Sequence, residues 1–76
     1  MSTKSTTGHV KVSYRVFWDN GTSKYCTLSI AQYSGHSNKD IANYLIDMFQ
    51  REIGVEGLQK VKIISIDSER VNIIVH

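Results

Sequence analysis

The chain has 76 residues, of which 41% are hydrophobic and 21% are charged, a composition typical of globular proteins rather than of disordered ones. A chain of this length forms one small domain and buries roughly 60% of the surface that its unfolded state exposes. Nine Lys and Arg against seven Asp and Glu give a formal net charge of +2, which is too small to indicate nucleic-acid binding by itself.

Three features of the sequence bear on location. Cys26 is the single cysteine, so the chain forms no intrachain disulfide. No apolar run approaches the roughly 20 residues that span a bilayer. Residues 1–8 lack the apolar segment of a signal peptide and any apolar anchor for packing. These features predict a cytoplasmic protein without membrane contact, made of a disordered N-terminal arm, 1–8, and a single domain, 9–76.

Apolar and polar residues alternate from Val10 to Trp18, which predicts a half-buried strand. Asp19-Asn20-Gly21 follows, a sequence typical of hairpin turns. A two-residue turn would mix apolar and polar residues on one face of the hairpin, whereas a three-residue loop with a left-handed glycine keeps one face apolar. We therefore predict a second strand at Thr22–Ala31, with three opposed pairs on the apolar face: Val10 and Ile30, Val12 and Leu28, Tyr14 and Cys26.

The segment Ser37–Ile53 has a helical period. Ser37 stands three residues before Asp40, a spacing that predicts a reciprocal cap in which each side chain accepts from a free backbone N–H. Gly54 suits the left-handed residue that ends many helices. The apolar residues recur at spacings of three and four, as in an amphipathic helix: Ile41, Tyr44, Leu45, Met48 and Phe49.

The apolar arc of this helix is wider than one sheet face requires. At about 100° per residue, its apolar side chains cover more than half of the circumference, whereas packing on a sheet needs a stripe of about 100°. Loops can cover the surplus residues at the edges of the arc, Tyr44 on one side and Ile46 and Ile53 on the other. The alternative is that these residues contact a protein partner or a second copy of the chain.

Two further apolar runs, Val61–Ile66 and Val71–Val75, are separated by the polar segment 67–70 and predict a second hairpin. We expect Ile66 opposite Val71 and Ile64 opposite Ile73. One face then carries Ile64, Ile66, Val71, Ile73 and Val75. The other face carries Ile63, Ser65, Asn72, Ile74 and His76.

A hairpin, a helix and a hairpin predict an α+β fold of ββαββ order, with the helix packed on one face of a four-stranded sheet. We expect a mixed sheet in the order 2-1-4-3, with the first and last strands parallel at its centre. An antiparallel meander covered by the helix is the alternative. The predicted order resembles the β-grasp architecture of ubiquitin-like proteins and bacterial immunoglobulin-binding domains. Ubiquitin-like modifiers end in a flexible Gly-Gly tail, whereas this chain ends in Val75-His76 within a predicted strand, so conjugation is not expected.

The sequence contains no pattern typical of catalysis. It has no Gly-rich phosphate loop, no nucleophile elbow and no metal-ligand spacing, and its three histidines are scattered. Cys26 is expected to face the core beside Tyr14, where a thiol behaves as a small apolar group. Asp40 and Asp47 are explained by capping and solubility. We therefore expect no enzyme activity, no cofactor, no metal and no small-molecule substrate.

The face of the sheet turned away from the helix is expected to be mildly basic, because the strands contain Lys and Arg but no acidic residue. Arg15 lies opposite Tyr25, close enough for a cation–π contact. Basic and aromatic residues side by side can bind single-stranded nucleic acid, although a solvated face would also carry such residues. The candidates for this alternative function are Lys11, Arg15, Phe17, Tyr25 and Lys62.

The second strand is expected at an edge of the sheet with only Lys24 as a guarding charge, and an open edge can accept another strand. The sequence therefore favours a small protein-binding module, an accessory, adaptor or inhibitory protein of the kind common in viruses and mobile elements, which acts on a protein partner or forms a homodimer. The candidate contact residues are Tyr44, Ile46, Ile53, Lys24, Tyr25 and Thr27.

Overall fold

The computed structural model describes residues 6–33 and 37–76 and has an α+β fold in which one α-helix packs on a four-stranded sheet. The predicted ββαββ order is therefore confirmed. The elements are β1 (Thr6–Trp18), β2 (Ser23–Tyr33), α1 (Asn38–Glu52), a 3-10 turn (Val55–Gly57), β3 (Leu58–Ile66) and β4 (Glu69–Val75).

The first hairpin has the predicted register and the predicted three-residue loop. Val10, Val12 and Tyr14 lie opposite the predicted partners on β2. Trp18 N donates to Thr22 O at 2.9 Å to close the loop, and Gly21 has a left-handed φ of 89°. β1 begins at Thr6, so the strand extends into the segment predicted as a disordered arm; residues 1–5 of that arm lie outside the described residues.

The predicted helix and both of its caps are confirmed. Ser37 N donates to Asp40 Oδ2 at 2.9 Å, and Asp40 N donates back to Ser37 Oγ at 3.4 Å. Each contact satisfies one of the N–H groups that a helix start leaves unpaired. At the other end, Ile53 N donates to Phe49 O, and Gly54 follows with a left-handed φ of 89°.

The predicted strand order is wrong. The sheet has the order β2-β1-β3-β4, and every neighbouring pair is antiparallel, so the sheet is neither the mixed 2-1-4-3 sheet of the β-grasp nor a simple meander. The helix returns the chain to the end of β1, where Asp19 N donates to Gly57 O at 2.9 Å. β3 therefore begins beside Trp18, already antiparallel to β1, and pairs with it directly.

Burial explains why β3 rather than β4 takes the central position. Val61, Ile63 and Ile66 of β3 are all fully buried, whereas Ile74 of β4 is 47% exposed. A central strand is covered on both edges and suits the most apolar segment. The continuous run at Ile73–Val75 suggested that β4 was that segment, but its middle residue faces away from the core.

A β-bulge at Ile64 determines which residues of β3 are buried. Tyr14 lies opposite Ile63 and the adjacent Ser13 lies opposite Ser65, so Ile64 is an extra residue in the ladder with β1. The ladder with β4 shifts register at the same place, where Ile64 stands between the pairs Ile63–Ile73 and Ser65–Arg70. A bulge reverses the alternation of faces beyond it, so Ile63 and Ile66 both point to the core. The predicted register, with Ile64 buried and Ile63 on the open face, is therefore wrong.

The core lies between α1 and one face of the sheet. Ile41, Leu45 and Phe49 supply the buried stripe of the helix. The strands supply Val10, Val12, Val61, Ile63, Ile66 and Val75. Tyr14 adds a tilted ring contact to Phe49, with 5.0 Å between the ring centroids.

We predict that Ile63→Ala lowers the free energy of unfolding by about 2–5 kcal/mol, because it leaves a cavity among fully buried side chains. The matched change Ile64→Ala should cost clearly less, since Ile64 is only half-buried at the bulge. Urea denaturation of both variants measures the difference. A larger cost at Ile64 would contradict the bulge, and Ile63→Val serves in place of the alanine variant if that one does not fold.

We predict that ionisation of Tyr14 lowers the stability of the fold at high pH. Burial raises the pKa of its phenol above the ordinary 10.0, and the neighbouring Cys26 adds to the rise. The folded state therefore favours the neutral phenol, and this contribution is complete below a pH of about 10 and lost as the pH rises through the folded-state pKa. Between about pH 8 and about pH 11, the urea midpoint should decrease less for Tyr14→Phe than for the native chain. Equal losses in both proteins would contradict this assignment.

Candidate functional site

The face of the sheet turned away from α1 carries one row of side chains that crosses all four strands. Arg15 of β1 lies opposite Tyr25 of β2 and opposite Lys62 of β3. Lys62 in turn lies opposite Ile74 of β4. Because directly opposed residues point to the same side of a sheet, these four side chains form a continuous strip, with Tyr25 51% exposed and Ile74 47% exposed. We call this side of the sheet the open face.

Two cation–π contacts link the basic and aromatic residues of the open face. The guanidinium carbon of Arg15 lies 5.9 Å from the centroid of the Tyr25 ring, and Arg15 Nη1 also donates to Ser23 Oγ at 3.4 Å. Phe17 lies opposite Lys60, whose Nζ is 5.0 Å from the centroid of the Phe17 ring. Each pair places a cation beside a ring at a distance typical of cation–π attraction.

Small hydroxyl side chains occupy the row beyond Arg15. Ser13 lies opposite Thr27 on β2 and opposite Ser65 on β3. Ser65 lies opposite Arg70 on β4. The three hydroxyl side chains are shorter than Arg15 and Lys62 in the neighbouring row, so on β2, β1 and β3 this row is a polar strip that ends at the cation of Arg70.

Positive charge is concentrated on the open face. Its Lys and Arg residues are Lys11, Arg15, Lys60, Lys62 and Arg70. Across residues 6–33 and 37–76, none of the five has a carboxylate within 4.0 Å. Unpaired like charges on one surface give it a positive potential that attracts anions.

The carboxylates of the domain lie elsewhere. Glu69 Oε1 accepts from Asn38 Nδ2 at 3.0 Å, on the helix side of the sheet. Asp47 pairs with Arg51 at 2.7 Å on the exposed side of α1. Asp19 and Asp67 occupy turns at the two ends of β1 and β3. The helix side is therefore the more acidic side of the molecule, and the segregation is sharper than the sequence indicated.

The structure brings together all five residues that the sequence nominated for nucleic acid, Lys11, Arg15, Phe17, Tyr25 and Lys62. It adds Lys60 and Arg70, which sequence reasoning missed. The alternation Lys60-Val61-Lys62 could have indicated the first of these, since both lysines flank a core residue. Arg70 was hidden by the assumption that 67–70 formed the turn, whereas β4 begins at Glu69.

A second surface is an apolar groove between α1 and β2. The helix packs mainly over β3 and β4, so the helix side of β2 is only partly covered. The groove has a volume of about 590 Å³. It is lined by Leu28, Ser29, Ile30, Ala31, Asp40, Ile41, Tyr44 and Met48.

The residues nominated for protein contact are divided between the two sides of the sheet. Tyr44 is 58% exposed at the wall of the groove, whereas Ile46 and Ile53 are half-buried and pack against the core. Lys24 is exposed on the helix side of β2, opposite Val16. The remaining two, Tyr25 and Thr27, are exposed on the open face.

Among the described residues, the side chains that could act in catalysis or metal binding form no cluster of three. Cys26 is half-buried opposite Tyr14, with its Sγ 4.0 Å from Lys24 O. In the described part of the chain, no three His, Cys, Asp or Glu residues lie close enough together to hold a metal ion; His36 lies outside that part. Nor does the described part include a helix with the length and hydropathy needed to cross a bilayer.

Comparison with known proteins does not assign the chain to a family. No protein-family model matches the chain. A search of curated proteins and a search of solved structures also found no match. What the protein binds is therefore inferred from the open face and the groove.

Proposed function

We propose that this chain is a non-enzymatic binding module whose open face binds single-stranded nucleic acid. The observation that carries the proposal is the grouping of Lys11, Arg15, Lys60, Lys62 and Arg70 with Tyr25 and Phe17 on one side of the sheet. A reducing, cytoplasmic setting is part of the proposal, since it keeps the single Cys26 as a thiol.

Electrostatics favours a polyanion as the ligand. Lys and Arg side chains that contact phosphates release condensed counterions, which makes binding favourable at low salt. The five cations lie on three neighbouring strands, β1, β3 and β4, and strands are about 4.8 Å apart. Neighbouring cations are therefore spaced closely enough to follow successive phosphates across the sheet.

Aromatic exposure favours a single strand over a duplex. The bases of a single strand can stack on exposed aromatic rings and on Arg guanidinium planes, whereas the bases of a duplex are stacked on each other. Tyr25 has half of its surface exposed, and Arg15 already lies beside its ring. A base can stack on this pair while Lys62, next to Arg15 on β3, meets the adjoining phosphate.

A protein partner is the second candidate, and the sequence placed it first. The observation that favours it is the groove between α1 and β2, with Tyr44 exposed at its wall. Nucleic acid takes first place because the basic residues added to the open face by the structure, Lys60 and Arg70, make its charge density higher than the sequence suggested.

We predict that Lys62→Glu weakens binding of a short fluorescent oligodeoxythymidine by roughly tenfold at low salt and reduces the salt slope of the affinity, because a phosphate contact is lost. Lys39→Glu is the matched control: it makes the same charge change on α1, where the residue is exposed, and should leave affinity nearly unchanged. Fluorescence anisotropy at several salt concentrations measures both effects.

Tyr25→Ala separates stacking from charge. It should lower affinity by about 1–3 kcal/mol and leave the salt slope unchanged, because a stacked base is lost and no phosphate contact is. Absence of binding to single strands at low salt would contradict the proposal, as would equal weakening by Lys62→Glu and Lys39→Glu. Tighter binding to duplex than to single strands would contradict the stacking argument.

A further inference from the structure

β2 is an edge strand with an open backbone. Its 11 residues pair with β1 on one side, and the other side has no strand beside it in the described sheet. Edges are usually protected by charges. β4, the other edge, has Glu69 and Arg70 within its seven residues, whereas Lys24 is the only charged residue of β2.

The groove adjoins this open edge. Leu28 and Ile30 point from β2 into the groove and are only half-buried. Tyr44 and Met48 form the facing wall on α1. Unsatisfied backbone groups and exposed apolar side chains therefore lie side by side, and one partner could cover both.

We infer that the occupant is a second copy of this chain, bound by antiparallel pairing of the two β2 strands. The two-fold axis is perpendicular to the sheet, so both helices lie on the same side of one continuous sheet of eight strands. In this arrangement the two grooves face each other across the paired strands. The hydrogen bonds between the β2 strands and the contact between the apolar walls are then made by a single symmetric interface.

Charge complementarity supports self-association. Lys24 lies on the helix side near the start of β2, opposite Val16. Asp40 lines the groove together with Ile30 and Ala31, near the other end of the strand. Antiparallel pairing brings the start of one β2 beside the end of the other, so each Lys24 ammonium lies next to the acidic end of the opposing groove. Asp40 keeps its capping bond to Ser37 in this arrangement.

The dimer leaves the open face uncovered. The two helices cover the opposite side, so Arg15 and Lys62 of both copies lie on one continuous basic surface. Self-association is argued from β2 and the groove alone and holds whether or not this surface binds nucleic acid.

The oligomeric state tests the inference. Light scattering of the full chain at about 100 μM should give twice the 8.6 kDa mass of one chain.

Tyr44→Glu should raise the dissociation constant of the dimer by roughly tenfold or more, because it buries an unpaired charge. Ile74→Glu is the matched control, because it makes the same kind of change at a 47% exposed apolar residue of β4, on the other edge of the sheet, and it should leave the dimer intact. Circular dichroism verifies that both variants fold.

Lys24→Glu provides a second variant that makes no change at the helix. It places a carboxylate next to Asp40 of the opposing copy and should weaken the dimer through repulsion. Hydrogen exchange then locates the interface: β2 amides should be more protected at high than at low protein concentration, while β4 amides, on the other edge, should exchange at the same rate in both.

If light scattering gave the mass of a monomer at every concentration, the inference would be overturned. A strand from a different protein would then be the remaining candidate for the β2 edge. A dimer that survives both Tyr44→Glu and Lys24→Glu, or one that protects β4 instead of β2, would also overturn it.

Discussion

The antiparallel pairing of β3 with β1, and the bulge at Ile64 within it, is the constraint on which the rest of the structure depends. α1 returns the chain to Trp18, and the hydrogen bond from Asp19 N to Gly57 O holds the start of β3 there. Ile63 and Ile66 are three residues apart, so in a regular strand they would point to opposite faces. The bulge allows both to be buried on the same face. Without it, one of these side chains would have to point into solvent.

The same pairing of β3 with β1 determines which side chains lie on the open face. Before the bulge, burial of Val61 and Ile63 turns Lys60 and Lys62 outward, beside Phe17 and Arg15 of β1. Beyond the bulge, Ser65 and its partner Arg70 continue the same surface. The basic character of this side is thus a consequence of core packing on the other side, because each buried apolar residue of β3 fixes the direction of its polar neighbours.

Features set by neighbouring residues could be predicted from the sequence, and features set by distant pairing could not. The loop at Gly21 and the cap at Ser37 follow from short-range geometry, and both are confirmed. The run Ile63-Ile64 has no period of two, so nothing local indicates which residue is extra. The order of β3 and β4 depends on which strand buries more apolar surface against β1, a comparison that the pattern of each strand alone does not contain. The candidate residues on the first hairpin were therefore correctly grouped, while Lys60 and Arg70 were missed.

The position of α1 over β3 and β4 explains how the wide apolar arc of the helix is used. Ile46 and Ile53, on one edge of the arc, pack against the core, whereas Tyr44, on the other edge, faces β2 across the groove. The uncovered side of β2 and the surplus width of the arc are thus one feature, produced by placing the helix off the centre of the sheet. The open face lies on the opposite side and keeps its cations whether or not the groove is filled. A ligand of the basic surface and a partner at the β2 edge can therefore occupy the molecule together, and neither needs to displace a core contact.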